Sequence, residues 1–295
     1  MVSKATLKQQ RKSMIEKYAL ANLLPAVLTI ARQAGEKILE IANRPQTLSV
    51  SAKEDNSPVT EADLAAQEII HAGLLNLTPS FPQLSEESAT VPFEKRSSWE
   101  QYWLIDPLDG TKEFIAGTNE YTINIALIQH GKPILGVIYS PVTEQSYAAI
   151  KNNGCYFQEK NGDFEPVESR PWGSAIPAIA ISRRHQSNNP SLLALLDELG
   201  EYTKELAGSS LKFCLLATGR ADIYPRLGPT SEWDTAAGQI ILEEAGGAVL
   251  DLNGKRLQYN TKESLLNPPF IAVGDAKHDW GVVLEKIRTQ MEGKN

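Results

Sequence analysis

Apolar residues recur at helical spacing through Val27, Leu28, Ala31, Ala34, Ile38, Leu39 and Ala42, which predicts a helix that stops before Pro45. Residues 51–58 are polar and turn-like. A second helix is expected to open at Thr60, with Leu64, Ala65, Ile69, Ile70 and Leu74 on its apolar face. Thr60 suits its N-cap, and Asp63, three residues on, comes close to a capping box. The period then changes. Apolar runs at 81–85, 102–105, 121–129, 134–139 and 145–150 read as strands, and the turns between them, at 130–132, 140–141 and 152–154, predict an antiparallel meander.

Residues 160–175 are rich in Gly, Pro and charge and mark a boundary. Beyond it strand and helix alternate. Strands are expected at 176–181, 221–224, 248–252 and 270–273. Helices are expected at 190–199, 210–218, 234–245 (closed by Gly246-Gly247) and 280–291. The reading is an α/β protein in which an α+β half precedes an α/β half. Its expected organisation is an N-terminal extension over 1–21, an α+β half over 22–172 and an α/β half over 173–295. No internal repeat is visible.

Composition narrows the function. With 295 residues, 42% of them hydrophobic, the chain can bury a core without disulfides. Its 36 acidic against 29 basic residues, with no Lys/Arg-rich run, argue against nucleic acid as a polymeric partner. A small anion stays open if metals or local cations offset the acid. Two cysteines, Cys155 and Cys214, without a paired framework suit a reducing cytoplasm. The apolar run near the N-terminus is short and contains Pro25, so no transmembrane span is expected. Lys4, Lys8, Arg11, Lys12 and Lys17 read as a solvated helix; peripheral contact with an acidic membrane surface, at the cytoplasmic face of the inner membrane, is the alternative.

The chemistry concentrates where an apolar strand runs into Asp106-Pro-Leu-Asp109-Gly-Thr111. Two carboxylates held that close on a turn repel unless a cation lies between them, and hard divalent ions such as Mg²⁺ take oxygen ligands. Gly110 and Thr111 offer backbone N–H groups to a phosphate. Taken alone, the turn is better explained by solvated aspartates in an Asx-type turn. Glu86-Glu87, Asp63 and Glu232-Trp233-Asp234 add acids at the ends of other elements. Each has a capping or surface explanation of its own, and spacing cannot show that they converge.

Asp106-Pro-Leu-Asp-Gly-Thr111 and Trp233-Asp-Thr-Ala-Ala-Gly238 resemble the two signature motifs of the inositol monophosphatase superfamily. Glu86-Glu87 and Thr60-x-x-Asp63 fall in the family's order. Asp55-Asn-Ser-Pro-Val-Thr60, Asp109-Gly-Thr-Lys-Glu-Phe114, Ile181-Ser-Arg-Arg-His185 and Gly208-Ser-Ser-Leu-Lys-Phe-Cys214 narrow the resemblance to 3'(2'),5'-bisphosphate nucleotidases of the CysQ type, and Asn267-Pro268 fits too. The resemblance spans roughly residues 22–275.

It implies an α/β/α/β/α layered sandwich and Mg²⁺-dependent hydrolysis of phosphate monoesters with two or three ions per site. The substrate it implies is adenosine 3',5'-bisphosphate, cleaved to AMP and phosphate in sulfur assimilation and nucleotide recycling, with sensitivity to Li⁺. Glu86, Asp106 and the Leu108 carbonyl would hold one metal; Asp106, Asp109 and Asp234 would hold a second. Asp63 matches the acid at a weak third site that also partners the activating Thr111, and Thr111, Asp63 and Glu86 form the implied catalytic set. Substrate contacts would come from Glu86, Leu108, Asp109, Gly110, Thr111 and Asp234 at the reacting phosphate. Lys212, Arg226 and Ser209 would face the remote phosphate and His185 the nucleoside, with Lys212 lying off the apolar face of its helix.

The same metal motifs fit an inositol monophosphatase or a sugar bisphosphatase; the 181–185 and 208–214 segments favour the nucleotide. A haloacid-dehalogenase-type phosphotransferase needs one residue between its two acids, and here two intervene. A catalytically dead nucleotide-binding module gains no support, because the acids matching the family and Thr111 are all present.

Overall fold

The computed structural model describes residues 4–44, 50–52, 58–88, 91–183, 192, 196 and 199–292; over 4–19 it describes the backbone alone. A long helix, Lys4–Ala42, is followed by a two-stranded ribbon of β1 (Val50–Ala52) and β2 (Pro58–Thr60) and by the helix Glu61–Leu77. A seven-stranded sheet comes next: β3 (Gln83–Ser85), β4 (Gln101–Asp109), β5 (Thr122–Gln129), β6 (Lys132–Ser140), β7 (Gln145–Ile150), β8 (Cys155–Gln158) and β9 (Glu165–Val167), side by side in sequence order. Only the β3–β4 pair in it is parallel.

The second sheet contains β10 (Ala178–Ile181), β11 (Thr203–Leu206), β12 (Ile223–Arg226), β13 (Ala248–Asp251) and β14 (Phe270–Val273) in the order β11-β10-β12-β14-β13. The helices Leu211–Ala217 and Glu232–Glu244 lie between the two sheets, and Gly281–Glu292 covers the far face of the second. The result is the expected α/β/α/β/α sandwich.

Burial explains why the strands of the first sheet are apolar without alternation. In β4, Trp103 and Ile105 face the two N-terminal helices, while Tyr102 and Leu104 face the helices between the sheets. A sheet covered on both faces needs apolar residues at successive positions. The inner core draws on both sides of residue 172: Leu104, Ala126 and Ile138 pack with Phe213, Ile240 and Phe270.

Several elements depart from expectation. β8 follows the expected 152–154 turn in a stretch with no expected element, β9 lies inside the expected boundary, and their side chains are mostly half-buried or exposed. β11 (Thr-Lys-Glu-Leu) is an edge strand whose polar sequence carries no apolar alternation. The 1–21 stretch, apart from its first three residues, is part of the same helix as residues 22–42. Most of the expected 190–199 helix lies outside the described residues; Leu192, Leu196 and Leu199 are helical. The basic side chains from Lys4 to Lys17 also lie outside them.

The central helix Glu232–Glu244 sits very close to the first sheet because Gly136 of β6 has no side chain. A Cβ there would come within 2.4 Å of Ile240 and 2.8 Å of the Ala237 carbonyl. Gly136→Ala is therefore expected to cost about 1–3 kcal/mol through overpacking. Thermal unfolding would show this as a lowered Tm; an unchanged Tm would mean that the helix can back away from the sheet.

Candidate active site

The site forms where four element ends meet. Glu86 follows β3, and its N–H bonds the Ile105 carbonyl at 3.2 Å, extending the β3–β4 pairing by one residue. In β4 the register breaks between Asp106 and Asp109. Pro107 offers no N–H to the ladder, and a break of this kind re-aims the side chains around it. Asp106 is almost fully buried, and its Oδ1 accepts the Leu108 N–H at 3.1 Å. Gly110 then turns the chain at φ 97° into the short helix Thr111–Ile115. A side chain there would be strained and would press on the Glu120 carbonyl and Tyr121.

Asp63 and Asp234 both stand at the third position of a helix and close capping boxes with Thr60 and Ser231. Asp63 Oδ2 accepts the Thr60 N–H at 2.8 Å and the Thr60 hydroxyl at 2.5 Å. Its Oδ1 accepts the hydroxyl of Thr111, a cleft residue, at 3.0 Å; that hydroxyl also lies 3.3 Å from the Leu108 carbonyl. Asp234 likewise spends Oδ2 on the Ser231 N–H at 2.9 Å. Capping and site duty are thus compatible, because a carboxylate has two oxygens.

Glu86, Asp106 and Asp234 bring carboxylate oxygens within 4.8 Å of one another. Burial, and then repulsion from Glu86, Asp109, Asp234 and Asp63, push the Asp106 carboxyl well above its ordinary range. Asp234 is raised in the same way, by burial, Asp109 and Glu86, against smaller opposing effects from the Ser231 N–H and Arg226.

Asp109 lies outside that group of three and has its own hydrogen-bond setting. Its Oδ2 accepts from Ser210 at 2.6 Å, Ser209 at 2.7 Å and Asn124 at 3.2 Å. Leu108, Gly110, Trp233 and Leu266 line the same cleft of about 490 Å³ as Glu86, Asp106 and Asp234. A smaller chamber of about 130 Å³ shares Asp109, Gly110 and Asp234 with it and adds Ser209, Lys212, Tyr224 and Arg226.

Lys212 differs from expectation. It is 4% exposed, not on a solvated helix face, because the helix Leu211–Ala217 is buried almost all round between the sheets. Its Nζ donates to the Ser209 carbonyl at 2.5 Å and lies 5.1 Å from the Tyr224 ring centre. Burial lowers its pKa to about 8, with Arg226 pushing the same way and Asp109, Glu113 and Glu120 opposing. Arg226 donates to the Pro229 carbonyl at 2.8 Å, and its buried Nε has no hydrogen-bond partner among the described residues. Ser209 adopts φ 50° and meets the Thr122 hydroxyl at 2.5 Å. His185 lies outside the described residues.

Sequence reasoning missed Asn124 and Ser210. Asn124 donates to Ser210 at 2.8 Å as well as to Asp109. The signal was available: a lone Asn in the apolar strand Ile123-Asn-Ile-Ala-Leu-Ile128 must find partners when it is buried.

The profile of the inositol monophosphatase family matches residues 19–287. The 3'(2'),5'-bisphosphate nucleotidase CysQ of Escherichia coli K12 is 47% identical over 248 residues, 84% of this chain and 98% of that enzyme. The enzyme of the same name from Haemophilus influenzae is 37% identical over 269 residues, 90% of this chain and 97% of its own length. Among solved structures, CysQ from Bacteroides thetaiotaomicron superposes with a TM-score of 0.75 at 40% identity, covering 89% of this chain and 99% of that one. The chain belongs to the inositol monophosphatase family.

Proposed function

We propose that the protein is a Mg²⁺-dependent phosphatase that removes the 3'-phosphate of adenosine 3',5'-bisphosphate, leaving AMP and phosphate. The observation that carries this reading is the pairing of two chambers in one cleft. One is walled by the carboxylates Glu86, Asp106 and Asp234; the other holds the cations Lys212 and Arg226; Asp109 and Gly110 stand between them. A substrate with a reacting phosphate and a second, remote phosphate matches that division. The two nucleotidases named above, alike over nearly their whole length, support it.

The donor set fits divalent cations. The cleft acids are all oxygen donors, Asp106 is buried and Asp234 half-buried, and their mutual repulsion is not relieved by any lysine or arginine hydrogen-bonded to Asp106 among the described residues. Glu86, Asp106, Leu108, Asp109 and Asp234 would hold the ions, with Asp63 at a weaker third position. Bound Mg²⁺ supplies charge neutralisation for the phosphate dianion, a lowered pKa for water and stabilisation of the leaving alkoxide.

The chain's own residues supply orientation. Thr111 donates its hydroxyl proton to Asp63, so its lone pairs are left to accept a hydrogen from a water in the cleft and aim it at the phosphorus. Asp63 cannot swing away, because its other oxygen is held by Thr60. Serines 209 and 210 and Asn124 fix the Asp109 carboxylate. In this reading residues 22–172 supply most of the metal ligands, and 173–295 supply Asp234 and the nucleotide-facing side chains. A cytoplasmic location accords with two free, buried cysteines, and among the described residues no helix is long and apolar enough to cross a membrane.

The test is a substrate panel with metal control. Turnover of adenosine 3',5'-bisphosphate should exceed that of inositol 1-phosphate and fructose 1,6-bisphosphate. It should vanish in excess chelator, return with Mg²⁺, and be inhibited by Li⁺ in an uncompetitive or mixed pattern. Activity that persists in chelator would sink the metal reading; preference for inositol 1-phosphate would sink the nucleotide reading.

A further inference from the structure

The pocket around Lys212 is clasped from outside by a residue that lines neither chamber. Glu120 lies in the loop between the helix Thr111–Ile115 and β5. Its carboxylate accepts Arg183 Nε through both oxygens, at 2.8 and 2.9 Å, and the Gly208 N–H at 3.0 Å. The Arg183 guanidinium reaches on to the Leu206 carbonyl at 3.3 Å. Glu120 therefore ties Arg183 to Gly208, one residue from each of the two sequence segments that distinguish a nucleotide pocket from the shared metal motifs.

The fit at Gly208 is close: a Cβ there would come within 2.7 Å of the Glu120 carbonyl oxygen and 3.2 Å of Glu113 Cγ. The next residue, Ser209, is a non-glycine at φ 50°. Such a conformation is strained in a residue with a side chain and persists only where neighbours enforce it. Ser209 then presents its hydroxyl to Asp109 and its carbonyl to Lys212 Nζ.

We infer that Glu120, with Arg183, is a positioning residue for recognition of the substrate's remote phosphate. It pins the Gly208 amide, holds Ser209 in its left-handed conformation and so sets where the Lys212 ammonium points. Glu120 itself does not touch substrate. The inference rests on the proposal that Lys212 faces the remote phosphate.

The test compares Glu120→Ala, Glu120→Gln and Lys212→Met on adenosine 3',5'-bisphosphate and on adenosine 3'-monophosphate, which lacks the remote phosphate. Glu120→Ala should lower kcat/KM for the bisphosphate roughly tenfold, chiefly through KM, the size expected when one charge-assisted contact is misaligned. The monophosphate should change less than about threefold, on the same scale. Glu120→Gln keeps an acceptor for Gly208 and should recover part of the loss. Equal losses on both substrates, or no loss on either, while Lys212→Met discriminates between them, would overturn the positioning role and leave the pocket assignment standing. If Lys212→Met does not discriminate either, the pocket assignment itself falls, and this inference with it.

Discussion

Asp106→Asn should abolish hydrolysis and, in chelator, leave the folded protein more stable than the wild type. The two effects have one cause. Asp106 is buried among Glu86, Asp109, Asp234 and Asp63, and its pKa is raised by burial and by those neighbours. A carboxyl raised in the folded state stabilises the fold only while protonated; that contribution is lost as pH rises from the unfolded value, near 3.9, through the folded one. At neutral pH without metal the group therefore opposes folding, whether it stays ionised among like charges or takes up a proton, and asparagine removes that opposition. With metal the sign reverses, because an ion that binds only the folded state stabilises it.

Expected results are a rate loss of about a thousandfold or more, corresponding to about 4 kcal/mol of electrostatic stabilisation. In chelator the Tm of the variant should exceed that of the wild type, and Mg²⁺ should raise the variant's Tm far less. A near-normal rate would show that the Asp-Pro-Leu-Asp turn is structural. Equal Mg²⁺-induced shifts in Tm would show that the ions are held without Asp106.

Lys212→Met should lose selectivity while keeping chemistry. Methionine retains the length and most of the volume of the buried side chain, so the helix Leu211–Ala217 stays packed. Facing the remote phosphate, the ammonium contributes a charge-assisted contact of about 1.5–3 kcal/mol, so kcat/KM for adenosine 3',5'-bisphosphate should fall roughly 10- to 150-fold. A monophosphate without the second group should be nearly unaffected, since the metal-facing carboxylates are untouched.

The pH profile gives an independent reading. Burial lowers the Lys212 pKa to about 8, so its charge is lost as pH rises through that value. In the wild type, kcat/KM for the bisphosphate should decline above that pH relative to the monophosphate. In Lys212→Met the relative decline should be absent. Equal losses on both substrates would mean that Lys212 acts through folding alone.

The layer order and the site's main turn are legible in the sequence because their causes are local. Proline, glycine and two acids in six residues define the end of β4 wherever it lies in space. Helix periodicity and meander turns give the first sheet. The convergence of Glu86, Asp106 and Asp234 is not legible from spacing, since it depends on how β3, β4 and the helix Glu232–Glu244 pack; only family resemblance supplies it in advance. Lys212 was misplaced for a related reason. A seven-residue helix enclosed between two sheets has no solvent side, so a charged residue in it does not mark a surface. β8, β9 and β11 escaped because exposed or half-buried strands carry little apolar signal.

The paired capping boxes bear on how such proteins can be expected to diverge. Asp63 and Asp234 each secure the start of a helix with one oxygen and serve the site with the other, Asp63 through Thr111 and Asp234 directly at the cleft. A duplicated copy freed from catalytic selection would still be under selection to keep both, because each loss would cost about 1 kcal/mol of helix stability. Their presence in a sequence is thus weak evidence of an active enzyme. Asp106 is in the opposite position: without metal its carboxyl opposes the fold at neutral pH, so drift should remove it early. Among paralogues, the state of that one position would separate working phosphatases from retired ones.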